Sequence, residues 1–265
     1  VSAVHGKWAG KAQAYAETFA PLCAELVDPL LNVLAPAPGE RLLDIGTGTG
    51  AVAAAALARG CLVVAGDPEP DMLAMAALTA PGAELILAGL PELTGIEAGF
   101  DLITANCVLN QLAQPEASLR RLAELLRPGG RLAISTWPAR HPLQQLWDDV
   151  VRQADAQIPE SARRTARTGG MERTLDGVTA AVQRAGLLIE RAWLHDFTHV
   201  VDQERWWSGP TRGVAWIGQV YAAQLPPKAA AMDEAYGRLS ASYRGADGLL
   251  HLPATAIMVV ATRPS

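Results

Sequence analysis

From residue 40 onward, short apolar runs alternate with alanine-rich or amphipathic stretches, and glycine or proline marks most of the borders. Leu42, Leu43 and Ile45 form the first buried strand, and residues 51–58 form a helix behind it. Further strands are read over 62–66, 84–88, 100–105 and 132–136, and a helix over 115–126, where Leu119, Leu122, Leu125 and Leu126 share one face. Residues 143–156 and 174–185 read as helices, and Gly186 stops the second. The last two strands cover 187–201 and 250–262. Strand and helix in alternation predict an α/β fold with a mostly parallel sheet.

Two segments fall outside that alternation. In residues 1–38, Tyr15, Phe19, Leu22, Leu26, Leu30 and Val33 recur at three- and four-residue steps, so this part is helical. Pro21 suits the first turn of a second helix, and Pro29 kinks or restarts it. Residues 202–245 carry Trp206, Trp207, Trp216 and Tyr221, then Pro226-Pro227, then a helix over 228–243. The expected division is a helical lid over 1–39, a core over 40–201 and 246–265, and a helical insertion over 202–245 that caps an acceptor pocket.

The chemistry concentrates where the first strand ends, in Asp44-Ile45-Gly46-Thr47-Gly48-Thr49-Gly50. Glycines there can take positive φ and let a ligand lie against the backbone. A helix start behind them offers unpaired N–H groups and partial positive charge. The spacing is Gly-x-Gly-x-Gly with an acid two residues ahead, whereas the dinucleotide fingerprint is Gly-x-Gly-x-x-Gly. The motif resembles the first motif of the class I S-adenosylmethionine-dependent methyltransferases. The small-molecule type is meant, similar to the ubiquinone and menaquinone biosynthesis enzymes and to bacterial natural-product methyltransferases.

Two further motifs carry the resemblance. Asp67-Pro68-Glu69-Pro70-Asp71-Met72 looks like the family's second motif, and Leu126-Arg127-Pro128-Gly129-Gly130 between a helix and a strand looks like its late turn. The resemblance spans residues 40–263. It implies a Rossmann-like seven-stranded sheet, mostly parallel with the last strand antiparallel, helices on both faces and a helical cap. It also implies S-adenosyl-L-methionine as cofactor and S-adenosyl-L-homocysteine as its product.

Roles follow residue by residue. Asp44, Gly46, Thr47, Gly48 and Gly50 hold the amino-acid tail of the cofactor, with Tyr15 near its carboxylate. Asp67, about 20 residues beyond the loop, suits a ribose diol, because a carboxylate accepts from both hydroxyls. Its other reading, compatible with the first, is a cap on the following helix, and its position favours the ribose. Pro68 and Met72 pack on the adenine. The family's acid after the third strand is Gly89 here, so backbone groups of Gly89 and Leu90 would read the adenine edge. Asn106 meets the cofactor tail or its own backbone. Trp8, Asn110, Trp137, Trp206, Trp207 and Arg212 are expected around the acceptor, with Gln111 as an alternative to Asn110.

A methyl on a sulfonium is already activated, so the protein has mainly to align the acceptor. His141 is the candidate base, with His5 and His251 behind it. His195 and His199 lie on one side of a strand, but no third ligand shows a recognisable spacing, so no metal is expected.

The chain has 265 residues, is 50% hydrophobic and carries a formal charge of -5. That suits one large core with elaborations and argues against a nucleic-acid partner. The exception is a local cluster of Arg163, Arg164, Arg167 and Arg173. Cys23, Cys61 and Cys107 show no metal spacing and suit a reducing cytoplasm. No apolar run reaches the length of a membrane span, and the first residues lack a signal-peptide pattern.

The expected activity is methyl transfer to an O or N atom of a small cytosolic metabolite or natural product, by a monomer or homodimer without membrane attachment. The alternatives are a cyclase-like protein that binds the same cofactor without methylating, and an NAD(P)-dependent oxidoreductase.

Overall fold

The computed structural model of the protein describes residues 8–166 and 171–265. Seven strands form one sheet: β1 Arg41–Ile45, β2 Leu62–Asp67, β3 Glu84–Leu87, β4 Phe100–Asn106, β5 Leu126–Thr136, β6 Leu188–Val201 and β7 Leu250–Thr262. Their order is β3-β2-β1-β4-β5-β7-β6. β1 to β5 pair in parallel, and β7 is antiparallel to both β5 and β6. The expected mostly parallel sheet with its last strand reversed is therefore present. After β3 the chain returns to the far side of β1, so a crevice opens at the carboxyl ends of β1 and β4.

Twelve helices surround the sheet among the described residues. They are α1 Ala12–Glu17, α2 Phe19–Ala24, α3 Val27–Leu34, α4 Ala51–Ala58, α5 Pro70–Thr79, α6 Pro115–Leu125, α7 Pro142–Gln153, α8 Glu160–Ala166, α9 Leu175–Arg184, α10 Gln203–Thr211, α11 Ala215–Ala222 and α12 Pro226–Ser240. The apolar pattern does not announce α5, although Pro70 in its first turn with Asp71 beside it is a helix-start signal.

Each face of the sheet is buried. Leu43, Ile45, Ile103 and Ile134 meet α6 and α9 through Leu119, Leu122, Val178 and Val182. On the other face Leu42, Val63 and Leu102 meet Leu30, Leu34, Val52 and Ala56 of α3 and α4. A third core lies beyond the sheet, where α7, α10, α11 and α12 gather Trp147, Trp206, Trp207, Ile217 and Tyr236. The first half of β7 enters it through Leu250, Leu252 and Ala254.

The N-terminal helical stretch divides by burial. Leu26, Leu30, Leu31 and Leu34 are fully buried against the sheet, so α3 is core. The chain breaks at Thr18 (φ -124°, ψ -72°) and again at Glu25 and Leu26. Pro21 and Pro29 each stand third in their helix, where no amide is required by the preceding turn.

The Pro-Gly-Gly turn is built into β5. Phe100 pairs with Leu126 and Leu102 with Arg131, so residues 127–130 bulge opposite Asp101 alone. Gly129 N donates to Arg263 O at 2.9 Å, and Arg263 N donates to Gly130 O at 2.8 Å. A Cβ on Gly130 would lie 2.9, 3.0 and 3.1 Å from the carbonyl oxygens of Arg127, Phe100 and Asp101. Gly129 has φ +74°, and a Cβ there would meet only the Arg127 guanidinium, at an ordinary contact distance of 3.9 Å. Gly130→Ala is accordingly expected to cost about 3 kcal/mol and Gly129→Ala about 1 kcal/mol. Equilibrium urea unfolding of the two variants measures this, and equal losses would contradict the backbone crowding.

Candidate cofactor and acceptor site

The turn after β1 holds three glycines at positive φ: Gly46 at 67°, Gly48 at 55° and Gly50 at 88°. A Cβ on Gly46 would stand 2.5 Å from Val108 Cγ2, and one on Gly50 would stand 3.0 Å from Ala76 Cα. Gly46 thus lets the loop after β4 close over the turn, and Gly50 lets α4 approach α5.

The amides of this turn are not left unpaired. Gly46 N and Thr47 N donate to Gly66 O at 2.7 and 3.0 Å, and Gly50 N donates to Thr47 O at 2.9 Å. Gly48 N donates to Asp67 Oδ2 at 2.9 Å. The expectation of open N–H groups is corrected at these four positions. The turn is braced by its own bonds, and its unbalanced feature is negative charge.

Asp44 and Asp67 supply that charge from adjacent strand ends. Asp44 is 1% exposed and Asp67 6% exposed. Thr47 Oγ1 donates to Asp44 Oδ2 at 2.7 Å, and Thr104 Oγ1 donates to Asp44 Oδ1 at 2.8 Å. Asp67 Oδ1 accepts from Glu69 N at 3.0 Å. Burial pushes both carboxyls up to about 6, against the lowering effect of these bonds. The groups that shift them include no lysine or arginine. Asp67 therefore does cap the backbone after β2, while its place in the crevice wall remains.

A cavity of about 510 Å³ runs from this turn along the carboxyl ends of the strands. Its walls hold Tyr15, Gly46, Gly48, Asp67, Pro68, Met72, Gly89, Leu90 and Asn106 of the expected cofactor residues. Asp44, Thr47 and Gly50 stand behind the wall and shape it. Gly89 O already accepts from Leu93 N at 2.9 Å, so this carbonyl is engaged. Asn106 is committed as well: Nδ2 donates to Cys23 O at 3.0 Å, and Oδ1 accepts from the Ser135 hydroxyl. Its amide ties α2 to the sheet.

Trp8, Asn110, Trp137 and His141 also line the cavity. Trp8 meets Tyr15 edge-on with centroids 5.4 Å apart, and Trp137 stacks on His141 at 5.6 Å. Burial, with Arg173 nearby, lowers His141 to about 4, so the imidazole is neutral near neutral pH. His5 and Arg167 lie outside the described residues.

Three expected pocket residues do not reach the cavity. Trp206 is fully buried between Phe19 and Trp147, with centroids 4.5 and 5.9 Å away. Trp207 stacks on Tyr236 at 4.3 Å, and its Nε1 donates to Asp233 at 2.7 Å. Arg212 pairs with Glu17 at 2.6 Å outside the cavity. Both tryptophans sit on the inner face of α10 and build the third core.

Trp216, one of the aromatic residues offered for the pocket, does line the cavity, and Trp147, Asp148 and Arg173 line it as well. Trp147 could have been found from the sequence, because α7 follows β5 on the ligand side. No sequence signal marks Arg173. His199 and His195 are accounted for by neighbours: His199 Nδ1 meets Glu25 Oε1 at 2.5 Å, and His195 stacks on Phe197 at 5.7 Å. His251 faces Asp247 at 3.0 Å. Among the described residues no group of three or more His, Cys, Asp or Glu side chains could hold a metal ion, and no helix is long and apolar enough to cross a membrane.

Residues 15–189 match a family model described as a methyltransferase domain. The demethylmenaquinone methyltransferase of Clavibacter sepedonicus is 36% identical over 106 residues, covering 39% of this chain and 43% of that protein. The malonyl-[acyl-carrier protein] O-methyltransferase of Serratia marcescens is 32% identical over 152 residues, covering 56% of this chain and 59% of that protein. The chain thus spans about half the length of these curated relatives. The fold is similar to a Haemonchus contortus phosphoethanolamine N-methyltransferase solved with S-adenosylhomocysteine and phosphomonomethylethanolamine. There the TM-score is 0.55 at 16% identity, over 91% of this chain and 53% of that one. With the domain match covering more than half of its length, on this strand order and around this glycine turn, the chain belongs to the class I S-adenosylmethionine-dependent methyltransferases.

Proposed function

We propose that the protein transfers the methyl group of S-adenosylmethionine to an O or N atom of a small molecule, a natural product or another metabolite. The observation that carries this reading is the pair of buried carboxylates, Asp44 and Asp67, with no lysine or arginine among the described residues that shift them, at the head of a cavity that continues into an aromatic chamber. A sulfonium nucleoside with an ammonium tail supplies the missing positive charge and the ribose hydroxyls. The cofactor brings the activated methyl with it.

The residues then divide the work. Asp67 accepts from the ribose hydroxyls, and Asp44 holds the turn and its field from behind. Pro68, Met72 and Leu90 enclose the adenine, with backbone amides after β3 at its edge. Tyr15 and Trp8 turn electron-rich rings toward the cation. The acceptor lies among Trp137, Trp147 and Trp216, with Asn110 as a polar contact, and α7 with α11 and the α1–α2 segment exclude water from it.

A neutral imidazole with its pKa near 4 is a weak base. His141 therefore orients an acceptor by hydrogen bonding and does not strip a proton from an unactivated hydroxyl.

Binding tests the first part. Titration calorimetry should show S-adenosylmethionine binding, weakened roughly 10- to 100-fold by Asp67→Ala. Unchanged affinity would remove Asp67 from the site. Cofactor binding without S-adenosylhomocysteine release, across a broad panel of acceptors, would favour the non-methylating alternative.

The raised carboxyls give a pH signature. Neutral Asp44 and Asp67 favour the unliganded fold, so that stability is full below about 4, the ordinary carboxylate range, and is lost as pH rises through about 6. Cofactor binding has the opposite sign. Affinity should climb as pH rises toward 6, by up to roughly tenfold per unit for each proton released, and then level off. Calorimetry at pH 5.5 in buffers of different ionisation enthalpy measures the proton release. His141→Asn should lower turnover less than about tenfold and leave the pH profile between 6 and 9 unmoved. A lost acid limb in that range would show that His141 is the base after all.

A further inference from the structure

The acceptor end of the cavity carries a cation with nothing to hold. Arg173 lines the cavity and is half-buried. Among the described residues its guanidinium has no hydrogen-bond or ion-pair partner. Its main chain is nevertheless fixed. Ala139 N donates to Arg173 O at 2.9 Å, Met171 is buried in the core at 5% exposure, and the neighbouring Thr174 caps α9 by accepting from Gly177 N at 3.0 Å. The side chain is presented to the cavity by a rigid support.

A second unpaired polar group stands in the same wall. His141 Nδ1 is buried and has no partner. The ring is held by stacking on Trp137. Asp148 also lines the cavity, but it is exposed to solvent and accepts from Gln144 Nε2 at 2.8 Å. Water screens its charge more than that of Arg173, whose burial lowers its own pKa. The inner end of the chamber is therefore electropositive and apolar.

Resting on the methyl-transfer reading, we infer that the acceptor is a small amphipathic acid, whose apolar body sits among Trp137, Trp147 and Trp216 and whose carboxylate is gripped by the Arg173 guanidinium and His141 Nδ1–H. A guanidinium offers paired donors in the geometry that a carboxylate accepts, and a neutral imidazole can donate from Nδ1 to the same anion. The two unpaired groups are thus satisfied by one ligand group. Arg173 is a binding and specificity residue here, and the atom that receives the methyl lies nearer the glycine turn.

The test uses the full chain saturated with S-adenosylhomocysteine. A matched series of probes is titrated: hexanoate, 3-phenylpropanoate and 2-naphthylacetate, each with its primary amide, plus 2-(2-naphthyl)ethylamine. At least one carboxylate should bind about tenfold tighter than its amide, and the amine should bind most weakly. Arg173→Gln should erase the preference for acid over amide while leaving amide affinity and S-adenosylhomocysteine affinity unchanged. Arg173→Lys should restore part of it.

The inference is overturned if no acid exceeds its amide, if the amine binds best, or if the preference survives Arg173→Gln. S-adenosylhomocysteine is titrated separately, so a failure of the cofactor reading shows there and not in the acid-to-amide ratio. That ratio is then read on the unliganded chain.

Discussion

Two carboxylates kept dry at neighbouring strand ends are the constraint around which this molecule is arranged. Parallel pairing of β1 and β2 sets Asp44 beside Ala65, so Asp67 stands two residues farther on at the same end of the sheet, and the glycine turn folds between the two carboxylates. Burying such groups without a counter-charge opposes folding, and the turn's own hydrogen bonds offset only part of that cost. The remainder is an electrostatic demand that a cationic ligand meets. A turn of this shape with ordinary side chains in place of Gly46 would collide with Val108 and push open the loop after β4.

The sheet and the cofactor half of the cavity were legible because they rest on local rules. Positive φ demands glycine at Gly46 and Gly48, strand ends demand a carboxylate at a set distance, and Gly130 fits where three carbonyls converge. Each leaves a mark within a few residues. The acceptor half was less legible, because an indole reads alike in a core and in a pocket. Trp206 and Trp207 were drawn into the third core by the inward face of α10, while Trp147 and Trp216 took the wall. Asn106 kept its expected position, but its amide bonds span three elements distant in sequence. Arg173 is marked by having no side-chain partner among the described residues, and no linear pattern expresses that.

The division of labour also separates the parts of the chain. Under the proposed function, the cofactor end of the cavity is lined from the ends of β1, β2 and β4 and the segment after β3. The proposed acceptor end is lined from residues 137–148, Arg173 and the start of α11. Substitutions in the second set reshape the chamber without altering the glycine turn.

β7 joins these halves mechanically. Its last six residues pair with β5, and its first half runs on beyond β5, beside β6, into the aromatic core. A single strand shared in this way acts as a girder, and the roof over the acceptor cannot swing free of the floor. The opposite wall is built of shorter pieces, α1 and α2 being six residues each. That wall is tied at its surface by Gly10 N to Asp71, Arg205 to Glu17 O and Arg212 to the Glu17 carboxylate, and within by Phe19 on Trp206, Leu22 in the third core and Asn106 on Cys23 O.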